Sequence, residues 1–206
     1  MGNLRSVSKA LESLGAAVSV TSDPAVIGRA KKLILPGVGA SPAAMQELTA
    51  RGLIEPIKAT IQAGKPYLGI CLGLQLLFDF SEEGQGVPGL GILSGRVKRF
   101  AIDSHLKIPH MGWNQIKRQV TSDKRQGGCP ILEGIPEDSF FYFVHSYYAA
   151  PEDQSVVALE TDYGGPLASM VWRGNLFATQ FHPEKSQALG LRLLKNFVNL
   201  GPGGVR

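Results

Sequence analysis

Residues 66–78 read PYLGICLGLQLLF, and this stretch decides how the rest of the chain is interpreted. The apolar run at 67–70 is typical of a buried strand, and apolar residues at helical spacing continue after it. Cys71 stands between Gly69 and Gly73 at the junction. The stretch therefore predicts a strand, a sharp turn and a helix, with a thiol at the turn.

This arrangement resembles a nucleophile elbow with sulfur in place of a serine oxygen. The two glycines remove side chains where the strand and the helix would collide, and the turn pushes the thiol into a cleft. A thiol at the start of a helix faces backbone N–H groups and the positive end of the helix dipole, which favour the thiolate. The alternative is a buried structural cysteine. The flanking glycines favour the nucleophile.

The chain has 206 residues, of which 44% are hydrophobic and 18% are charged. This size fits one α/β domain, which we expect to span residues 1–200, followed by a frayed Gly-rich tail at 201–206. No stretch is long and apolar enough to span a bilayer, and no secretory signal follows Met1. We therefore expect a cytoplasmic protein.

Composition also argues against metals and nucleic acid. Cys71 and Cys129 are the only cysteines, and no Cys/His cluster has the spacing of metal ligands, so we expect reduced thiols, no metal and no cofactor. The net charge of +4 comes from scattered basic residues. The densest group is Lys117, Arg118, Lys124 and Arg125. It lacks interleaved aromatic residues and is interpreted as a solvated loop.

The order of elements in the first half is typical of an α/β fold. The pattern predicts a helix at 4–14, a strand at 18–20, a helical turn at 23–24, a compact buried strand at 33–35, two helices within 42–63 and then the elbow. This alternation predicts a parallel sheet with helices on both faces. The site should lie at the carboxyl ends of its strands, where Cys71 and the glycine-containing loop at 36–39 both fall.

After a polar connection at 81–91 the pattern changes to short strands. These are predicted at 96–100, 108–116, 140–149, 156–161, 168–172 and 176–181, and a helix at 186–199 closes the chain. We interpret these strands as antiparallel additions to the same domain.

The last predicted strand leads into His182-Pro183-Glu184. Residues two apart at the end of an extended segment point the same way, so His182 and Glu184 can both face the cleft. An imidazole can take the thiol proton and later protonate a leaving amine, while a carboxylate fixes its tautomer. Alone, His182 would be interpreted as a structural histidine. Together with Cys71 it predicts a Cys-His-Glu triad.

Five segments across the chain resemble class I glutamine amidotransferases. They are PGVG at 36–39, GICLGLQLLF at 69–78, IPHMGWN at 108–114, FVHSYY at 143–148 and FHPEKS at 181–186. The PHMGWN segment and the opening GNLRSV resemble, more narrowly, the glutaminase subunits of imidazole glycerol phosphate synthase. The resemblance implies a flavodoxin-like three-layer α/β fold with a mostly parallel sheet and antiparallel strands in the C-terminal half.

The resemblance also implies hydrolysis of glutamine to glutamate and ammonia. Cys71 would form a glutamyl thioester, His182 would move the protons and Glu184 would orient the imidazole. The backbone groups implied for the oxyanion are those of Val38, Gly39 and Leu72. A peptide reorientation at Val38 and Gly39 would make that loop a switch.

Four residues would bind glutamine by the same resemblance: Gln75, Glu83, Ser146 and Tyr147. Gln75 lies one helical turn beyond Cys71, on the face that returns to the cleft. Glu83 would receive the α-ammonium group, and the other two would present backbone groups. The alternatives are a solvated helix residue for Gln75 and an ordinary loop carboxylate for Glu83.

Ammonia is protonated in water and then loses its nucleophilicity, so its release is useful only beside an acceptor site. The resemblance implies a heterodimer with a (β/α)8-barrel cyclase that makes imidazole glycerol phosphate and AICAR in histidine biosynthesis. Trp113 and Lys185 match partner-facing positions, and residues 109–114 would line the ammonia exit. Core packing is the alternative for Trp113.

Relatives in this family begin with a β-strand and a DYG turn ahead of the GN that here follows Met1. We expect a chain without that strand to have open sheet edges with apolar surface exposed beside them.

Three other functions are compatible with the sequence. They are the glutaminase of another synthase (for anthranilate, GMP or pyridoxal phosphate), a stand-alone γ-glutamyl hydrolase, and a catalytically impaired regulatory or scaffold subunit. The synthase that co-purifies, activity without a partner, and covalent trapping of Cys71 by a glutamine analogue would distinguish them.

Overall fold

The computed structural model describes residues 4–37, 39–100, 106–119 and 128–201. Its helices are α1 (Leu4–Ser13), α2 (Pro24–Arg29), α3 (Ser41–Ala50), α4 (Ile54–Gln62), α5 (Leu72–Gln75) and α6 (Gln187–Asn199). Its strands are β1 (Leu33–Gly37), β2 (Tyr67–Cys71), β3 (Phe78–Ser81), β4 (Val87–Pro88), β5 (Leu93–Arg99), β6 (His110–Gln115), β7 (Lys117–Arg118), β8 (Phe140–His145), β9 (Tyr147–Pro151), β10 (Val157–Asp162), β11 (Pro166–Arg173) and β12 (Leu176–Thr179).

The central sheet has six strands in the order β1-β2-β12-β11-β10-β7. Neighbours β1, β2 and β12 are parallel, and the remaining pairs are antiparallel. Gly37 stands opposite Cys71, and Thr179 stands opposite Ile70. The carboxyl ends of the three parallel strands therefore meet at one edge. Of the strands predicted as antiparallel additions, those at 156–161 and 168–172 join this sheet in antiparallel pairs, whereas the strand predicted at 176–181 is β12, which is parallel to β2. The other predicted strands lie in two smaller sheets.

Helices cover both faces of this sheet, as the sequence predicted. One apolar cluster joins α1 and α6 to side chains on one face, including Leu68 of β2 and Phe177 of β12. The other joins α2, α3 and α4 to the opposite face, including Tyr67 and Ala178. Because successive strand residues point to opposite faces, neighbouring residues of β2 and β12 serve different clusters. The result is the expected three-layer α/β arrangement.

Two smaller sheets flank the central one. The first has the order β4-β3-β5-β9. The second is an antiparallel pair of β6 and β8, called the ribbon below, in which Trp113 stands opposite Tyr142. One face of the ribbon is buried through Phe141 and Phe143, whereas Phe140 on the other face is 53% exposed. The ribbon thus presents an apolar face that is not used in the core.

Two predictions about secondary structure are wrong: the length of the helix after Cys71 and the single strand at 140–149. The helix after Cys71 ends at Gln75 instead of continuing to Phe78, because Phe78 pairs with Leu93 of β5. A short apolar run suits a helix or a strand equally, and tertiary pairing decides. The strand predicted at 140–149 is two strands, since β8 pairs with β6 and β9 pairs with β5, with Ser146 between them.

The N-terminal edge of the central sheet also differs from the prediction. The segment at 18–20 forms no strand, and Val20 is 61% exposed. β1 is the terminal strand of its sheet, and all five of its residues are only half-buried, not compactly buried. A terminal strand has a neighbouring strand on one side only, so its residues are more open to solvent than those of an inner strand. A stabilising effect of an added strand here stays a prediction.

The basic group at 117–125 is only partly accounted for. Lys117 and Arg118 form β7, which contradicts the predicted solvated loop, and the Arg118 guanidinium donates to the carbonyls of Leu132 and Ile135. Lys124 and Arg125 lie outside the described residues. The predicted frayed tail also lies outside them, apart from Gly201.

Candidate active site

The elbow has the predicted geometry. Cys71 has φ 53° and ψ −104°, a strained conformation for a residue with a side chain, and α5 begins at the next residue. A Cβ atom added at Gly73 would lie 1.9 Å from the Leu35 carbonyl oxygen, and one added at Gly69 would lie 2.5 Å from the Gly73 carbonyl oxygen. The flanking glycines are therefore required by close backbone approach.

The Cys71 side chain is buried but lies among polar groups. Its Sγ atom lies 3.8 Å from the Val144 carbonyl oxygen and 3.7 Å from Nε2 of Gln180. Both contacts come from segments at the carboxyl ends of strands, as expected for the site. A structural cysteine in an apolar core would not have these neighbours.

His182 and Glu184 form a buried pair beside the sulfur. Nδ1 of His182 lies 2.8 Å from Oε1 of Glu184, and both side chains are fully buried. Burial by itself lowers the pKa of His182, but hydrogen bonds to Cys71 and Glu184, together with their charges, outweigh it and raise the pKa to about 9. The imidazole is therefore protonated at neutral pH. A cation beside a sulfur favours the thiolate.

The backbone at His182 is fixed by the ribbon. Its N–H donates to the Tyr142 carbonyl at 2.9 Å, and its carbonyl accepts from the Ser186 hydroxyl at 2.7 Å. The same hydroxyl oxygen accepts from the Tyr142 N–H at 3.0 Å. β8 therefore determines where the imidazole stands.

Gln75 is buried, so the alternative of a solvated helix residue is wrong. Its Nε2 donates to the Tyr147 carbonyl at 2.8 Å and to Oε1 of Gln180 at 3.2 Å. Ser146 and Tyr147 follow Val144, whose carbonyl lies at the sulfur. Gln75 thus contacts both the 146–147 segment and Gln180, a neighbour of the sulfur.

Glu83 is half-buried and has a contact that the sequence did not predict. Its Oε2 accepts from the backbone N–H of Ser41 at 2.6 Å, at the first residue of α3. A carboxylate there satisfies an N–H group at the helix start and interacts favourably with the helix dipole. Glu83 thus anchors the chain directly after the loop at 36–39.

Two of the three backbone positions predicted to bind the oxyanion lie within the described residues. Leu72 is the first residue of α5, so its N–H has no acceptor within that helix. Gly39 has φ 107°, a conformation that favours glycine. Val38 lies outside the described residues.

Trp113 and Lys185 lie on the exposed face of the ribbon. Trp113 is 47% exposed, so the alternative of core packing is wrong. The Lys185 ammonium lies 5.7 Å from the Tyr142 ring centroid, and the Trp113 ring packs edge-on against the same ring at 6.1 Å. The two predicted partner-facing residues therefore meet across Tyr142.

No group of His, Cys, Asp and Glu side chains in the described ranges is suited to hold a metal ion. In the part of the chain that the structure describes, every helix is too short or too polar to cross a membrane. Gln180 and the Val144 carbonyl were not predicted from the sequence. Gln180 could have been, because it lies two residues before His182 and so on the same side of the segment.

Comparison with known proteins shows which family this chain resembles. The sequence model described as glutamine amidotransferase class-I matches residues 1–200. The imidazole glycerol phosphate synthase subunit HisH of Syntrophotalea carbinolica is 54% identical, over 97% of this chain and 96% of that protein. The subunit of the same name from Aromatoleum aromaticum is 52% identical, over 98% and 95%.

Solved structures share the fold at low sequence identity. A crystal structure of a glutamine amidotransferase has a TM-score of 0.71 and 22% identity, over 95% of this chain and 92% of that one. PurLQS from Thermotoga maritima has a TM-score of 0.69 and 20% identity, over 96% and 92%. The chain belongs to the class-I glutamine amidotransferase family, and within it to the imidazole glycerol phosphate synthase HisH subunits.

Proposed function

We propose that this chain is the glutaminase subunit of imidazole glycerol phosphate synthase, and that it passes ammonia from glutamine to a (β/α)8-barrel cyclase. The observation that carries the proposal is the buried pair of His182 and Glu184 at a strained Cys71 elbow. Membership of the HisH group supports a cyclase of histidine biosynthesis as the protein that receives the ammonia. The enzyme acts without a cofactor, in the cytoplasm, as one domain over 1–200.

The proposed reaction uses Cys71 as the nucleophile and His182 as acid and then base, while Glu184 orients the imidazole. The Cys71 thiolate attacks the side-chain amide carbon of glutamine, and the new oxyanion is held by the N–H groups of Leu72 and of the Val38 and Gly39 peptides. The His182 imidazolium protonates the leaving nitrogen as the C–N bond breaks. Water then hydrolyses the thioester, with the imidazole as base, and releases glutamate.

Substrate contacts follow from the segments around the sulfur. Ser146 and Tyr147 present backbone groups to the amino-acid end of glutamine, and Glu83 receives its α-ammonium group. Gln75 supports this segment through its bond to the Tyr147 carbonyl. Each is a proposed role that mutation can test separately.

The exposed face of the ribbon is the proposed partner surface. Trp113 and Phe140 are joined there by Met111, which is 62% exposed. Exposed apolar patches on a folded chain commonly bind other proteins. Lys185 lies at the edge of this patch, and residues 109–114 would carry ammonia out beside it.

The test is ammonia release from glutamine by the purified full chain, with and without the cyclase and its nucleotide ligand. We expect low activity alone, a large increase in the complex, and none in Cys71→Ala. A glutamine-analogue electrophile should label Cys71 stoichiometrically, and glutamine should protect it. Full activity without a partner would favour a stand-alone hydrolase, and absence of labelling would favour a scaffold subunit.

A further inference from the structure

Gln180 is a fully buried polar residue that the proposed mechanism does not use. It follows β12 directly, and its backbone N–H donates to the Ser169 carbonyl at 2.8 Å. The side chain occupies space between the thiol and Gln75. A buried amide in this position needs both a donor and an acceptor partner.

Gln180 has both. Its Oε1 accepts from Nε2 of Gln75 at 3.2 Å, and its Nε2 lies 3.7 Å from the Cys71 sulfur. The second distance is normal for a hydrogen bond to sulfur, whose radius exceeds that of oxygen. The amide therefore bridges Gln75 and the reacting atom.

The direction of this bridge is fixed by the Tyr147 carbonyl. That oxygen can only accept, so Gln75 must turn its NH2 group toward it, at 2.8 Å. The same NH2 group faces Gln180, which must present its oxygen in turn. The NH2 group of Gln180 is then left to face the sulfur as a donor. A flipped Gln180 would set two NH2 groups against each other.

The Tyr147 carbonyl is itself held from a second side. Nδ1 of His145 lies 2.8 Å from it, so Nδ1 carries the hydrogen. Burial lowers the pKa of His145 to about 3, which leaves Nε2 unprotonated. That nitrogen accepts from Nδ1 of His110 at 3.0 Å. Two donors from different elements thus fix the carbonyl that orients the amides.

We propose that Gln180 is a positioning residue that donates a hydrogen bond to the Cys71 sulfur and holds it toward the substrate, in a direction set by the Tyr147 carbonyl through Gln75. The proposal rests on the proposed function. A hydrogen bond between Cys71 and His182 also raises the pKa of that imidazole. Gln180 adds a second donor, which is uncharged. Its amide can hydrogen-bond the sulfur but takes no part in the proton transfer between Cys71 and His182.

The test compares Gln180→Glu and Gln180→Met in the full chain. The Glu carboxylate keeps an acceptor for Gln75 but has no NH2 group for the sulfur. The Met side chain has a similar volume but offers neither the acceptor nor the donor. We expect alkylation of Cys71 by iodoacetamide, followed by peptide mass spectrometry, to slow about 10- to 100-fold, as for loss of a hydrogen bond to a charged group. In the complex with the cyclase, kcat for glutamine should fall by a similar factor, with KM changed less than about threefold.

Gln154→Glu is the matched control, because Gln154 is exposed and its amide bonds only the nearby Pro151 carbonyl. It should leave both rates unchanged. A folded Gln180→Glu or Gln180→Met chain with wild-type alkylation and kcat would overturn the proposal. If neither variant folds, the Gln180 side-chain amide resonance decides: it should move between wild type and Cys71→Ala, and an unmoved signal overturns the proposal. Failure of the proposed function would instead appear as a wild-type complex without glutaminase activity but with normal alkylation.

Discussion

Nδ1 of His182 lies 2.8 Å from Oε1 of Glu184, and neither side chain is exposed to solvent. The carboxylate fixes the tautomer of the ring and stabilises its protonated form. It opposes the effect of burial, which alone would lower the pKa of His182. The relationship sets the pH range in which the imidazole can donate a proton.

Glu184→Gln should lower the pKa of His182, because it removes a charge that raises it. The variant would lose its imidazolium as the pH rises through neutrality, whereas the wild type keeps it to about pH 9. Glutaminase activity of the complex at pH 8 should fall about 10- to 100-fold. The pH profile of kcat measures this.

Glu152→Gln, an exposed change far along the chain from His182, is the control and should keep the wild-type profile. An unshifted alkaline limb in Glu184→Gln would mean that the carboxylate does not raise the pKa of the imidazole.

The raised pKa of His182 also makes the stability of the fold depend on pH. Because the folded pKa is raised, the contribution of His182 is complete below pH 6.5 and is lost as the pH rises through about 9.

His110 and His145 should make the fold sensitive to acid. Burial lowers their pKa values to about 4 and about 3, whereas the unfolded chain titrates near 6.5. Below pH 6.5 the unfolded state therefore binds more protons, and the free energy of unfolding should fall by at most about 1.4 kcal/mol per pH unit for each histidine. Urea unfolding between pH 7 and pH 4 measures the slope.

His145→Gln removes one of these titrating groups. Its free energy of unfolding should be lower at pH 7, since a buried hydrogen-bonding residue is changed, but it should depend less steeply on pH. Comparing slopes separates the titration from the loss of packing. Parallel curves for the variant and the wild type would show that His145 does not contribute to acid sensitivity.

Gly73→Ala should destabilise the elbow, because the new Cβ would lie 1.9 Å from the Leu35 carbonyl oxygen. Overpacking of this kind typically costs about 1–3 kcal/mol. Here the two nearest atoms belong to the Leu35 backbone carbonyl, which cannot rotate away as a side chain could. Gly28→Ala in α2 is the control, since nothing lies within 4 Å of the added atom. It should be neutral or stabilise by up to about 1 kcal/mol. Thermal melting compares the two, and equal melting temperatures would contradict the close approach.

Trp113→Ala should weaken binding of the cyclase by about 2 kcal/mol or more if the ribbon face is the interface. Val20→Ala, a change of an exposed apolar residue outside the ribbon, should leave the affinity unchanged. Calorimetric titration gives both constants. Unchanged affinity in Trp113→Ala would place the partner elsewhere. Melting temperatures of both variants should stay near that of the wild type.

The sequence predicted that Cys71, His182 and Glu184 share one candidate site, because the evidence for each half is local. Cys71 lies between glycines, and His182 and Glu184 are two residues apart, so each half is visible without knowing the fold. The length of α5 could not be predicted, because Phe78 suits a helix until β5 pairs with it. The contact of Glu83 with Ser41 joins residues 42 apart in sequence, and only the folded chain shows it.

The spacing of Gln180 to His182 could have placed it near the site, but its contacts could not be predicted from the sequence. Its partners, Gln75 and Cys71, are more than 100 residues away in sequence. The strand predicted at 18–20 was wrong because alternation of apolar residues indicates a strand only where their side chains pack on a half-buried sheet surface. Val20 is mostly exposed and lacks that support.

The packing of Gly37 limits how the elbow region can rearrange during turnover. A Cβ at Gly37 would lie 2.5 Å from Cβ of Leu72, so the end of β1 is pressed against the start of α5 and cannot slide past it. Ser41 is tethered on the far side by Glu83. We therefore expect any motion that turns an N–H group toward the reaction to be confined to the short segment between Gly37 and Ser41, with β1 and α3 staying in place.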